Sequence, residues 1–225
     1  MKSLIKKLPV IRTIARVVYY TFVDPLKPFP GSEKYWELRY KSGGNSGTGS
    51  YHKFAEFKSD FLNSFVKCNQ ITTVIEYGCG DGNQLKLLKY PLYIGFDVSP
   101  DAIYKCRNLF SDDVNKTFKL MSEYANETAQ LTLSLDVIYH LIEDDVFSVY
   151  MNRLFDSSRR FVIIYSSNTD KQENFQAAHI KHRKFSLWIE RNRPEWKLIQ
   201  CIPNKYQYTG NEQEGSFADF YVYEK

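Results

Sequence analysis

The 225-residue sequence holds only four cysteines, and no two of them form a Cys-x-x-Cys pair. The wide spacing of Cys68, Cys79, Cys106 and Cys201 argues against a zinc site or a disulfide framework and suits a reducing cytoplasm. Unbroken apolar runs of bilayer-spanning length are missing. The opening MKSLIKKLPVIRTIARVV starts basic, but Lys6, Lys7, Pro9, Arg12 and Arg16 interrupt it, so no signal peptide is expected. There is no internal repeat and no long low-complexity tract. An extended basic face is also lacking. Residues 1–30 carry Lys2, Lys6, Lys7, Arg12, Arg16 and Lys27 against Asp24 alone, a balance of +5, so the rest of a chain whose total is +4 sits at −1. A nucleic-acid footprint on the main domain is therefore not expected.

What the chain does have is globular in character: 43% hydrophobic and 25% charged residues, enough for one large domain with or without an extension. Aromatics reach 16%, which serves either core packing or an aromatic-lined site. We expect residues 1–50 to form a basic N-terminal helix (3–23), a proline-bearing linker, a short helix at 33–41 and a Gly/Ser loop, KSGGNSGTGS. Residues 51–225 are expected to form the main domain. The basic helix admits three roles: contact with an anionic membrane surface, packing across the domain, or dimerisation. Oligomeric state is not readable.

From Tyr51 the pattern is an amphipathic helix, with apolar residues at 54, 57, 61, 62, 65 and 66, followed by alternating strands and helices. Strands are expected at 72–77, 92–96, 117–121, 131–135 and 160–165, with helices at 82–89, 100–110, 143–155 and 182–193. A strand pair at 197–202 and 217–224 closes the chain without a helix between. Alternation implies an α/β, doubly wound, Rossmann-like sheet of seven strands, mostly parallel, with an antiparallel C-terminal pair and an N-terminal helical extension.

After the first buried strand, Gly78, Gly80 and Gly82 make a tight turn that lets a ligand approach the backbone. Glu76 precedes the turn and Asp81 lies inside it. Asp97 follows the second strand, 19 residues past Gly78, where an acid meets ribose hydroxyls in doubly wound sheets. Carboxylates around the turn suit an ammonium group and hydroxyls better than a pyrophosphate. The segments VIEYGCGDGNQL, YIGFDVSPDAI and LTLSLDVIYHLIED resemble the successive motifs of class I S-adenosylmethionine-dependent methyltransferases.

The resemblance implies S-adenosyl-L-methionine as cofactor. Glu76, Gly78, Cys79 and Gly80 would lie on its methionine side, Asp97 at the ribose and Val98 beside the adenine. It further implies Ser122 and Glu123 near the adenine amino group, and Leu135 and Asp136 facing the methionine and the substrate opening. YWELRYKSGGNSGTGSYHKFAEFK and FVIIYSSN resemble small methyltransferases of bacterial capsule and O-antigen biosynthesis, which implies a sugar or a phosphorylated glycan precursor as acceptor.

A hydroxyl acceptor needs a general base, and His140, at the end of the fourth strand, is the candidate, with Asp136 beside it. The alternative is that His140 packs without titrating. AAHIKHRKF places His182 and Arg183 in a basic loop able to grip an anionic acceptor, or simply solvated. Tyr40 and Tyr51 flank the Gly/Ser loop, which reads as a lid or as a linker. Asp136 and Asn168 alone do not make a metal site, so no metal is expected. Phosphate-type oxygen or amine methylation, and non-catalytic cofactor binding, are the competing readings.

Overall fold

The computed structural model describes residues 29–172, 176–211 and 213–225. The basic helix expected at 3–23 lies outside the described residues. Five helices and seven strands follow in chain order among those residues. They are α1 (Ser32–Lys41), α2 (His52–Cys68), β1 (Thr73–Tyr77), β2 (Leu92–Asp97), α3 (Pro100–Leu109), β3 (Lys116–Leu120), β4 (Ala129–Leu135), α4 (Asp144–Asp156), β5 (Ser158–Ser166), α5 (Phe185–Asn192), β6 (Lys197–Ile202) and β7 (Asp219–Glu224). The sheet order is β3-β2-β1-β4-β5-β7-β6. Strands β1 to β5 pair in parallel, and β7 runs antiparallel to both β5 and β6.

Side chains alternate across the strands, so each buried strand feeds two cores. Val74, Tyr93, Leu131, Leu133, Phe161 and Ile163 face one side, where Leu62, Phe65 and Val66 of α2 and Ile103 and Cys106 of α3 cover them. Ile75, Tyr77, Phe96, Val162 and Ile164 face the other, under Phe147, Met151 and Leu154 of α4 and Phe185 and Ile189 of α5. The same alternation puts Glu76 and Asp97, two residues past Val74 and Gly95, on the α2/α3 side of the sheet. Two acids are thereby buried at the C-terminal strand ends, 4% and 6% exposed.

The expected α/β architecture holds, with one difference that matters for the site. The segment after the glycine turn is not a helix over 82–89 but a single 3-10 turn, Gln84–Leu87, ending in an extended Leu88. Pro91 explains the stop: its ring disfavours a helical conformation at Tyr90, leaving no length for a helix between the turn and β2. Elsewhere the boundaries differ from expectation by up to three residues. The order reverses between β1 and β4, where consecutive connections depart to opposite sides. A crevice opens at the carboxyl ends of the strands at such a point.

Candidate active site

The crevice is a cavity of about 310 Å³ at the carboxyl ends of β1, β2 and β4, roofed by α1 and flanked by α2 and α4. That size lies within the range of small-molecule sites. Its floor is the glycine turn. The amides of Gly78 and Cys79 donate to the Phe96 carbonyl at 2.7 and 3.0 Å, which ties the turn to the end of β2. Gly80 has φ +59, and an added Cβ there would run into Ser46 Oγ and lie 2.9 Å from the Tyr40 hydroxyl. A bare backbone is thus required on the cavity floor.

The acids are held in different ways. Asp97 accepts the Gly80 amide on Oδ2 and the Ser99 amide on Oδ1, both at 2.9 Å. Burial pushes its carboxyl up to about 6 in spite of these bonds. Glu76 accepts the Tyr93 hydroxyl at 2.7 Å, and burial pushes it up to about 7. For Asp81 burial works the same way. Here, however, the Ser46 amide at 3.0 Å, the Tyr51 hydroxyl at 2.7 Å and the Asn83 amide at 3.1 Å together hold the carboxyl below its ordinary value.

Asp81 is therefore the anchor of the Gly/Ser loop. Ser46 Oγ accepts the Asp81 amide at 3.0 Å and meets the Tyr40 hydroxyl at 2.9 Å. Ser50 offers its carbonyl to Asn83 Nδ2 at 2.7 Å. At the other end of α1, Glu143 accepts the Ser32 amide at 3.0 Å and its hydroxyl at 2.6 Å. Removing the Asp81 carboxylate loses several charge-assisted bonds, each worth about 1.5–3 kcal/mol. Asp81→Ala is expected to raise amide exchange in residues 43–50 at least about tenfold, with strand amides unchanged. Mass-spectrometric exchange checks this; an unaltered loop rate would show that the loop is held elsewhere.

Most of the residues singled out from the sequence come together here. Glu76, Gly78, Cys79, Gly80, Asp97, Val98, Leu135, Asp136, Tyr40 and His140 all line the cavity. Five others do not. Ser122 is exposed, and Glu123 turns back to accept the Leu120 amide at 2.6 Å, so Met121 lines the cavity in their place. Tyr51 points its hydroxyl to Asp81 and acts through the loop. His182 is buried with Nδ1 2.6 Å from Ser167 Oγ and its ring edge on Phe217. Arg183 donates to the carbonyls of Leu141 and Ile142 and to Asp144 Oδ1, the last at 2.7 Å, and so pins the segment leading into α4. Its guanidinium is spent on structure. Asn168 Oδ1 accepts the Ser186 amide at the start of α5. No group of three or more potential metal-ligating side chains occurs among the described residues.

Several lining residues had no flag in the sequence: Lys58, Gln84, Met121, Tyr150 and Arg153. Lys58 left a trace that spacing would have revealed. It sits in the stripe Phe54–Lys58–Leu62–Val66, every fourth residue of α2, where each neighbour is buried and apolar.

His140 lines the cavity too. Its Nδ1 lies 2.8 Å from the His179 carbonyl, an oxygen that only accepts, so Nδ1 carries the proton and Nε2 keeps a lone pair. Burial, reinforced by the charge of His179 and opposed by that carbonyl, pushes its pKa down to about 3, and the ring is neutral at physiological pH. Trp36 meets the ring edge-on at 4.9 Å between centroids, and His179 stacks on it at 5.3 Å.

No family model and no curated protein matches the sequence. Solved structures match in fold. The N-methyltransferase NodS from Bradyrhizobium japonicum WM9, in complex with S-adenosyl-L-homocysteine, superposes with a TM-score of 0.67 at 11% identity, over 87% of this chain and 98% of its own. Magnesium protoporphyrin IX methyltransferase from Synechocystis PCC 6803, with bound S-adenosylmethionine, gives 0.57 at 13% identity over 95% and 96%. The small RNA methyltransferase HEN1 gives 0.58 at 14% identity, over 78% of this chain and 26% of its own. The chain thus has the fold of the S-adenosylmethionine-dependent methyltransferases.

Proposed function

We propose that this chain is an S-adenosylmethionine-dependent methyltransferase that methylates a hydroxyl of a sugar or glycan precursor, in the assembly of a bacterial surface polysaccharide. The fold, the bare glycine floor and the paired acids Glu76 and Asp97 support the cofactor. The segments that resemble capsule and O-antigen methyltransferases support the acceptor. One observation carries the chemistry: His140 faces the cavity as a neutral imidazole whose proton is fixed on Nδ1.

S-adenosylmethionine supplies a methyl group on a positively charged sulfur. His140 Nε2 would take the proton of an acceptor hydroxyl as the O–CH3 bond forms and the S–CH3 bond breaks, S-adenosylhomocysteine being the leaving group. The imidazole would gain a positive charge as the donor gives one up, so the net charge of the buried cavity would not change. That balance makes an otherwise weak buried base competent. Tyr40, Trp36 and the loop over the cavity exclude water, the role of a lid.

Glu33 and Asp145 are exposed acids lining the cavity, which favours a neutral or amine-bearing acceptor over nucleic acid or an anion. An amine acceptor is accordingly the second reading. Calorimetry is expected to show binding of S-adenosylhomocysteine and none of NAD. A turnover screen pairing neutral glycans with their amino-substituted counterparts separates the two acceptors. Binding of NAD alone would refute the methyl-transfer assignment.

A further inference from the structure

Lys58 is the odd member of the buried stripe of α2, with none of its surface exposed. A buried ammonium costs several kcal/mol before any partner is counted, and an apolar side chain in place of a buried ion pair is often neutral or stabilising. Packing alone does not account for such a residue. Its Nζ donates to Asp136 Oδ2 at 2.6 Å and lies 5.2 Å from the centre of the Tyr165 ring. An ammonium has three donors, and this is the one hydrogen bond it makes among the described residues. Asp136 holds its side of the pair in a left-handed backbone conformation, φ +59, uncommon for a residue with a side chain. Glu76 is close enough for the charge of Lys58 to act on it.

A second buried group, from the 3-10 turn that follows the glycines, reaches the same helix one turn before Lys58. Gln84 donates Nε2 to the Ala55 carbonyl at 3.0 Å, which fixes the amide's orientation. Its Oε1 is buried with no hydrogen-bond partner among the described residues. Both side chains line the cavity. A cation with donors to spare and an acceptor with none used, both lining one cavity, complement a ligand that carries a carboxylate and an ammonium on one carbon.

We propose that Lys58 and Gln84 clamp the amino-acid end of the methyl donor, Lys58 donating to its carboxylate and Gln84 Oε1 accepting from its ammonium. The inference rests on S-adenosylmethionine being the donor. Asp136 is then the positioning residue that keeps the Lys58 ammonium aimed at the cavity, and the hydroxyl of Tyr139, 2.8 Å from Asp136 Oδ1, steadies that carboxylate.

Calorimetry on the full chain tests it with three probes: S-adenosylhomocysteine, its decarboxylated analogue, and 5′-methylthioadenosine, which has no amino-acid end. Lys58→Met is expected to weaken S-adenosylhomocysteine about 10- to 100-fold, while leaving both truncated probes within about twofold. Gln84→Met is expected to weaken the two ammonium-bearing probes and spare 5′-methylthioadenosine. Unchanged S-adenosylhomocysteine affinity in Lys58→Met overturns the proposal and moves the cation to an acid group on the acceptor. Equal losses for all three probes overturn it too, since the proposed contacts exist only for the amino-acid end. Gln84→Met keeps the test decisive if Lys58→Met does not fold. A wild-type protein that binds none of the probes would instead refute the donor.

Discussion

His140→Ala is expected to lower turnover by about 10²- to 10⁴-fold, the range for loss of a positioned base, while S-adenosylhomocysteine affinity changes little. The split follows from what the ring touches. Its Nδ1 is spent on the His179 carbonyl and its faces and edges on Trp36 and His179, so only Nε2 is left for chemistry. The wall it belongs to is aromatic and continuous with Tyr35, which stacks on His179 at 4.4 Å between centroids. His140→Gln is the sharper companion, because it keeps bulk and hydrogen bonding and loses the basic ring nitrogen. Single-turnover rates alongside calorimetry are the measurement. Wild-type turnover in either variant would leave the ring as a packing group and favour an amine acceptor that attacks already deprotonated.

The affinity for S-adenosylhomocysteine is expected to fall on the order of 100-fold between pH 8 and pH 5.5. Glu76 and Asp97 are raised to about 7 and about 6 by burial, and a ligand bearing an ammonium favours both as carboxylates. Above pH 7 both are ionised before the ligand arrives. As pH falls through 7 and then 6, each must give up a proton on binding, and affinity drops by that cost. Folding is linked to the same groups with the opposite sign. Their native values lie above the ordinary carboxyl range, so in the ligand-free protein they subtract stability as pH rises from about 4 to 7. Ligand binding and low pH thus relieve the same buried charge. A flat affinity across this pH range would show that neither acid faces the ligand.

The alternation of apolar strands with amphipathic helices made the sheet legible, since burial on both faces leaves a run such as TTVIEY no other use. The glycine turn was legible for the same kind of reason, because Gly78 and Gly80 bear on backbone shape alone. What stayed hidden depended on one-residue register or on a partner far along the chain. β3 ends at Leu120 rather than Met121, and with that shift of one it is Met121, not Ser122 or Glu123, that lines the cavity. Arg183 looked available in sequence because the carbonyls and the carboxylate it serves lie some forty residues earlier. Lys58 was hidden by its type: a lysine on an amphipathic helix reads as surface unless its place in the stripe is counted.

The two carboxylate anchors, Glu143 on Ser32 and Asp81 on Ser46 and Tyr51, have a kinetic meaning. With both ends of the roof fastened, a ligand of the cavity is expected to exchange with solvent faster when an anchor lets go. Entry is then a first-order event set by the opening, and the observed association rate levels off as ligand concentration rises. Exit through the same gate is expected to lengthen the lifetime of a bound ligand, which stopped-flow release from the Asp81→Ala variant checks.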